Sequence, residues 1–308
     1  MQSIRKFITV TALLLVAATS LADCKTMEVQ IRLDQLGYSP GCIDGQWGAQ
    51  SNAAMQQYCR AKNIPVPPDI QTAWTTLCSG NVAALWRIDT VANHELAALA
   101  AIPPNDEAKA QLDWMGFETI LEAYAERSHS RKSALKRLNP QVDWSNIKPG
   151  TKIKIANLPS TSSFLSVRAE TPRPEAKTIV INLGKKELTA YNANGDILLY
   201  CPCSIARERA KAPRGVLKVI SLAPNPNYTK ITETGAQKGR KWMFSPGPNN
   251  PVGVAWIGLS LPGYGIHGTP EPERIGRAES HGCFRLANWN AAKLYCLCRI
   301  GTIVKIIE

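Results

Sequence analysis

The period of the apolar residues changes near residue 160. Before that point they recur mainly at helical spacing, and from residue 178 onward they alternate as strand residues do. Between the two, 160–176 is rich in Ser, Thr and Pro and follows neither period, so it reads as a linker that lets the two halves move apart. With 308 residues the chain has room for two or three domains. The expected architecture is a helical N-terminal part joined to a mainly β domain over 177–308.

The first residues carry Arg5 and Lys6, an apolar run over 7–18, and then Ser20-Leu21-Ala22, whose small residues suit a signal-peptidase cut. The run is shorter than the ~20 residues that span a bilayer. A signal peptide over 1–22 is therefore expected, with the mature chain starting at Asp23 and exported to the periplasm or cell wall. Lipidation at Cys24 is not expected, because that cysteine follows Asp23 rather than a small residue.

Nine cysteines suit an oxidising compartment. Four lie early (Cys24, Cys42, Cys59, Cys78), four form two late Cys-x-Cys pairs (Cys201, Cys203; Cys296, Cys298), and Cys283 stands alone. The count predicts eight cysteines paired within their modules and one free thiol. The late pairs also match a four-thiolate zinc site, but export favours disulfides, so no metal and no cofactor is expected. The formal charge is +12, and removing Arg5 and Lys6 with the signal leaves +10. An exported basic chain meets anionic wall polymers and acidic peptides rather than nucleic acid.

Over 23–80, Val29, Leu33 and Leu36 are spaced to share a helix face that Gly37 ends. After a turn at Asp44-Gly45, Ala54, Tyr58 and Ala61 repeat the spacing, and a third helix is expected over 69–77. The strings from Arg32 to Tyr38, from Ile43 to Gly48 and from Ala53 to Tyr58 resemble the three-helix peptidoglycan-binding domain. Residues 81–110 read as a helical connector in which His94 is a surface or packing residue. Over 111–159, helices around Ile120 and Tyr124 and around Leu135 and Leu138 precede an alternating strand, Lys152-Ile153-Lys154-Ile155. This stretch is similar to a small α/β LysM-like module in the run from Leu121 to Arg127, in Leu138-Asn139-Pro140 and in Lys148-Pro149-Gly150-Thr151. A structural spacer is the alternative, and His129 reads as a packing residue. Beyond the linker, strands are expected over 178–183, 187–191 and 196–200, the last two joined by the hairpin dipeptide Asn194-Gly195.

The chemistry concentrates between Tyr264 and Asn288. Here Tyr264-Gly265-Ile266-His267-Gly268-Thr269-Pro270 is followed by Ser280-His281-Gly282-Cys283-Phe284-Arg285-Leu286-Ala287-Asn288. A thiol attacks carbonyl carbon as the thiolate, and with an ordinary pKa of ~8.5 it needs a base such as imidazole to draw off its proton. Glycines allow close approach of substrate to backbone, and amides around a Gly-Cys pair suit an oxyanion hole. A Cys and a His alone would equally suit a buried thiol beside an unrelated imidazole. The whole segment, however, resembles the YkuD-type L,D-transpeptidase catalytic domain, as does the upstream run from Pro246 to Gly253 with Trp256-Ile257.

That resemblance implies an acyltransferase with Cys283 as nucleophile, His267 as base and the Gly268 carbonyl orienting the imidazole. It places the oxyanion on the amides of Gly282 and Cys283, and a substrate carboxylate on Arg285. Ser280 and His281 would shape the nucleophile loop, and Tyr264 and Trp256 would line the cleft. The implied reaction forms a thioester with the third residue of a peptidoglycan tetrapeptide stem, releases D-alanine, and passes the acyl group to an amine. A second stem as acceptor gives a 3-3 cross-link, a lysine-bearing protein becomes attached to the wall, and water makes the enzyme an L,D-carboxypeptidase. The reading from another class is a catalytically inactive peptidoglycan-binding protein.

Overall fold

A computed structural model of the chain describes residues 23–80, 82–165, 174–208, 212–232, 234–235, 237–280 and 282–308. The expected signal peptide lies outside them. Among the described residues no helix is long and apolar enough to cross a membrane.

The first unit holds α1 (23–35), α2 (Ala49–Lys62) and α3 (Ile70–Cys78). Val29 and Leu33 are buried as their spacing predicts. Leu36 is not: α1 ends before it in a turn where Gly37 takes φ +88°, which leaves Leu36 44% exposed. The buried face of α2 is Ser51, Ala54, Met55 and Cys59 rather than the expected line through Tyr58 and Ala61. The buried Gln30 side chain explains the turn at Asp44-Gly45. It accepts hydrogen bonds from both backbone amides, each at 3.0 Å, and donates to Ser51 Oγ at 3.0 Å. Asp69 caps α3, accepting from Thr72 N at 2.8 Å.

The second unit runs through β1 (Trp86–Thr90), α4 (Asn93–Ala97), α5 (Asp106–Lys109), α6 (Ile120–Arg127), α7 (Lys132–Leu138) and β2 (Lys152–Ala156). The expected helical connector is here corrected. Trp86–Thr90 is a strand that pairs antiparallel with β2, Ile88 opposite Lys154, because an alternating strand such as β2 needs a partner for its backbone groups. The unit therefore closes from residue 86 rather than 111, around Tyr124, Leu135, Ile153 and Ile155. The stretch expected to be an irregular linker contains a short helix, α8 (Thr161–Leu165).

The third unit contains β3 (Thr178–Asn182), β4 (Glu187–Tyr191), β5 (Ile197–Pro202), β6 (Ile205–Ala206), β7 (Gly215–Pro224), β8 (Tyr228–Ile231), β9 (Lys241–Phe244), β10 (Ala255–Leu259), β11 (Gly265–His267), β12 (Ala278–Ser280), β13 (Phe284–Arg285), α9 (Asn288–Leu297) and β14 (Ile303–Ile307). Its main sheet runs β13-β11-β10-β7-β14-β3-β4-β5, with β6/β12 and β8/β9 as separate two-stranded pairs. α9 packs beneath this sheet against β10, β5, β11 and β7, and α8 lies against α9.

The two halves are docked directly rather than free to separate. Tyr200 N donates to Gly37 O and Ser39 N to Tyr200 O, both at 2.8 Å, so β5 continues into the first unit. Four residues of α9 meet the N-terminal units: Asn288 donates to Glu126 at 2.9 Å, Trp289 stacks on His129 with centroids 4.9 Å apart, Asn290 donates to Ser39 at 3.0 Å, and Lys293 pairs with the buried Asp34. Burial alone would raise the Asp34 carboxyl, but Lys293 and His129 hold it well below the ordinary carboxylate range. His129 reaches its place from a left-handed backbone, φ +53°, at the turn between α6 and α7.

The structure shows no disulfide among the described residues, and the pairing of eight cysteines stays an expectation of the sequence. Cys42 packs on Ala287 and Trp289 rather than on another cysteine. Burial pushes the Cys42 and Cys298 thiols up to about 12, which keeps both protonated. Cys24, Cys283 and Cys296 are partly exposed, so exposure alone does not single out Cys283.

Candidate active site

The site is built on the edge of the main sheet. β11 pairs antiparallel with β10, placing His267 opposite Trp256, and parallel with β13, placing His267 beside Arg285. Cys283 immediately precedes β13. Adjacent parallel strands in this register thus bring into one cavity a histidine and a cysteine that stand sixteen residues apart along the chain. Cys283, His267, Arg285, Gly282, Tyr264 and Trp256 all line one cavity of about 400 Å³.

His267 is buried, and its Nδ1 lies 2.7 Å from the Gly268 carbonyl oxygen. A carbonyl can only accept, so Nδ1 carries the hydrogen and Nε2 is the basic nitrogen. The Trp256 indole stacks on the imidazole, 5.6 Å between centroids and 17° between planes. Burial, joined by the Arg285 charge, pulls His267 down to about 4 against the opposing Gly268 bond. Burial likewise pushes the Cys283 thiol up, partly offset by the Gly265 backbone and by Arg285. Both shifts favour a neutral resting pair of thiol and imidazole. The Cys283 thiol points toward Gly263 O at 3.5 Å.

Glycines are required where the site is most crowded. A Cβ on Gly282 would lie 2.8 Å from the Tyr264 ring, and one on Gly265 would lie 2.5 Å from Trp256. Cβ atoms on Gly253, where φ is +63°, or on Gly268 would both overlap Asn288 Oδ1. The buried Asn288 is thus the keystone of the loop that carries the Gly268 carbonyl. It accepts from Val254 N at 3.4 Å and donates to Pro248 O at 3.1 Å.

Arg285 is fixed through its backbone, exchanging hydrogen bonds with Ser204 at 2.9 and 3.0 Å. Among the described residues its buried Nε has no hydrogen-bond partner. Ser280 sits on β12, whose backbone pairs with Ala206 of β6. His281 lies outside the described residues. Sequence reasoning missed Tyr228, which lines the cavity from β8, and the bracing role of Asn288. Asn288 closes the nucleophile motif and was within reach of that reading; nothing near Tyr228 in sequence marked it. Among the described residues no group of three or more His, Cys, Asp and Glu side chains is placed to hold a metal ion.

Residues 176–306 match the family model described as the L,D-transpeptidase catalytic domain, YkuD. The chain is 33% identical over 129 residues to a Fuscovulum blasticum protein assigned to the L,D-transpeptidases, from the ATP synthase subunits region, covering 42% of this chain and 68% of the relative. It is 31% identical over 146 residues to YqjB of Bacillus subtilis (strain 168), assigned likewise, covering 45% of this chain and 76% of that one. A solved L,D-transpeptidase from Mycobacterium smegmatis is 20% identical with a TM-score of 0.35, over 43% of this chain and 59% of that one.

Proposed function

Because the chain belongs to the L,D-transpeptidase family, we propose that it is an exported acyltransferase acting on peptidoglycan stem peptides through a Cys283 thioester. The observation that carries this reading is the 2.7 Å contact between His267 Nδ1 and the Gly268 carbonyl. It fixes the tautomer whose other nitrogen is a base, in the cavity that also holds the thiol and an arginine.

In the proposed reaction the Cys283 sulfur attacks the carbonyl carbon of the third stem residue while His267 Nε2 takes the thiol proton. Charge builds on the carbonyl oxygen, which the amides of Gly282 and Cys283 receive. As the intermediate collapses, the C–N bond to the terminal D-alanine breaks and imidazolium returns the proton to the departing amine. The neutral resting pair means that proton transfer accompanies attack. An acceptor amine then repeats the sequence on the thioester, losing its own proton to His267 and restoring the thiol. Arg285, whose Nε lacks a partner among the described residues, is the proposed site for a stem carboxylate. Ser280 and His281 are proposed to shape the nucleophile loop.

The N-terminal units are proposed as a three-helix peptidoglycan-binding domain over 23–80 and a LysM-like glycan reader, its first strand supplied by Trp86–Thr90. The acceptor, whether a second stem, a protein lysine or water, is read directly by incubating the protein with defined tetrapeptide muropeptides and weighing the products. Cross-linked dimer with loss of D-alanine is expected. Cys283→Ala should abolish both turnover and the mass shift on acylation by a carbapenem; undiminished product from that variant would remove Cys283 from the mechanism.

A further inference from the structure

Among the described residues β8 and β9 form a two-stranded sheet of their own, separate from the main sheet, and a lone two-stranded ribbon is marginal in water. Its strands alternate as the pairing requires. Trp242 and Phe244 are buried on one face, while Met243 and Ile231 on the other are 63% and 53% exposed. What covers the buried face comes from the other half of the chain. Met115 packs with Trp242 and Phe244, and Ile102 and Leu112 lie against the same cluster.

Polar contacts follow the same path. Lys230 Nζ pairs with the Asp106 carboxylate at 2.7 and 3.0 Å, and Arg240 lies 3.6 Å from Glu107. The loop after β9 is stitched to this segment through its backbone: Met115 N donates to Pro246 O at 2.7 Å, and Asn249 N to Met115 O at 3.0 Å. Gly247, with φ +142°, lies so close to Met115 that a Cβ there would overlap its backbone. Asn249 Nδ2 adds a bond to Gly116 O at 2.8 Å. Tyr228 of the hairpin and Pro251 at the end of that loop both line the catalytic cavity.

We propose that residues 102–116, outside the catalytic unit, brace the wall formed by the hairpin and the 246–251 loop, and so set how tightly the stem peptide is held. The proposal rests on the transpeptidase reading for its substrate, but not for its geometry. Asp106 and Lys230 are positioning residues: neither is among those lining the cavity, and Lys230 acts through the strand it shares with Tyr228. A brace of this kind alters ground-state fit more than the chemical step.

The test uses the full chain with Asp106→Lys, Lys230→Asp and the double exchange, which restores an ion pair of reversed polarity. Asp106→Asn and Lys230→Met serve as milder variants should a like-charge pair prevent folding. Two quantities are measured: KM and kcat with a tetrapeptide donor, and the rate at which iodoacetamide modifies Cys283, followed by peptide mass. Each single variant should raise KM by about fivefold, the worth of a good partly exposed ion pair, with kcat within about twofold. Each should also speed Cys283 alkylation, and the double exchange should return both readouts toward the wild type. Single variants with wild-type KM and alkylation, or a double exchange no better than its singles, would overturn the brace. A wild type that never turns over tetrapeptide, yet shows the predicted alkylation pattern, would overturn the substrate reading and uphold the brace.

Discussion

Glu126 offers a stability experiment whose size follows from its surroundings. It sits on α6, buried, and accepts a hydrogen bond from Asn288 Nδ2 at 2.9 Å across the junction of the two halves. Burial raises its carboxyl from an ordinary 4.5 to about 7, with Glu122 adding to the effect and Asn288 opposing it. A raised carboxyl means that the folded protein binds the proton more tightly than the unfolded chain does. Its contribution is therefore complete below 4.5 and lost as pH climbs through about 7. At ~1.4 kcal/mol per pH unit, the loss is on the order of 3 kcal/mol. Glu126→Gln keeps an oxygen to accept from Asn288 but cannot ionise. Urea unfolding followed by tryptophan fluorescence should show similar stability for wild type and variant near ~pH 5, and a variant more stable by on the order of 3 kcal/mol near ~pH 8. Parallel pH profiles, or a variant weaker at the higher pH, would refute the claim that Glu126 is buried against its charge.

Three further outcomes are expected. Acylation of Cys283 should hold level across neutral pH and fall as pH drops through about 4, where His267 gains a proton, and a difference spectrum against Cys283→Ala should show no thiolate absorbance near neutrality; a thiolate signal there would mean a resting ion pair instead. Gly265→Ala, whose Cβ would lie 2.5 Å from the Trp256 ring, should displace the indole stacked on His267 and slow acylation by ~100-fold at little cost in circular dichroism, since small misplacements cost that much; an unaffected rate would show that the stack does not position the base. Lys293→Met should leave Asp34 buried without its ammonium and cost about 3–5 kcal/mol in urea unfolding; because the Asp34 carboxyl is depressed, the wild-type contribution exists above its ordinary 3.8 and is lost as pH falls below it, so a cost unchanged in acid would count against the pair.

Much of the candidate site was legible because its residues lie within one short segment of the chain. His267, Cys283, Gly282 and Arg285 need only adjacent strands to converge, and the register of β11 with β13 provides that. The helices of the first unit were legible through their period, but their buried faces were read less well. Leu36 falls past the end of α1, a boundary set by the Gly37 turn rather than by hydrophobicity. β1 escaped because its five residues are too short a run to outweigh the alanine-rich helical stretch that follows, and Ile88 is 67% exposed, so their alternation marks no buried face. It is a strand because β2 pairs with it, which is a tertiary fact. The bond between Glu126 and Asn288 spans 162 positions along the chain, so no local pattern could announce it. The cysteine count carries no information on where each sulfur packs, Cys42 against Trp289 being the plainest case.

The contacts that sequence could not show converge on α9, which begins at Asn288, shortly after β13, the strand that follows Cys283. One end of this helix holds the loop of Gly253 and Gly268, and its successive positions receive Glu126, His129, Ser39 and Asp34 from the N-terminal units. Trp289 has no exposed surface in this arrangement. A catalytic unit taken alone would have to expose that indole and leave Lys293 without its carboxylate. The carbonyl that orients His267 would meanwhile be held by an Asn288 that had lost Glu126. Close-packed interiors transmit such displacements rather than absorb them. The N-terminal units therefore brace the candidate site through the same helix that anchors them, and the seam near residue 160 marks a change of secondary structure without marking a mechanical boundary.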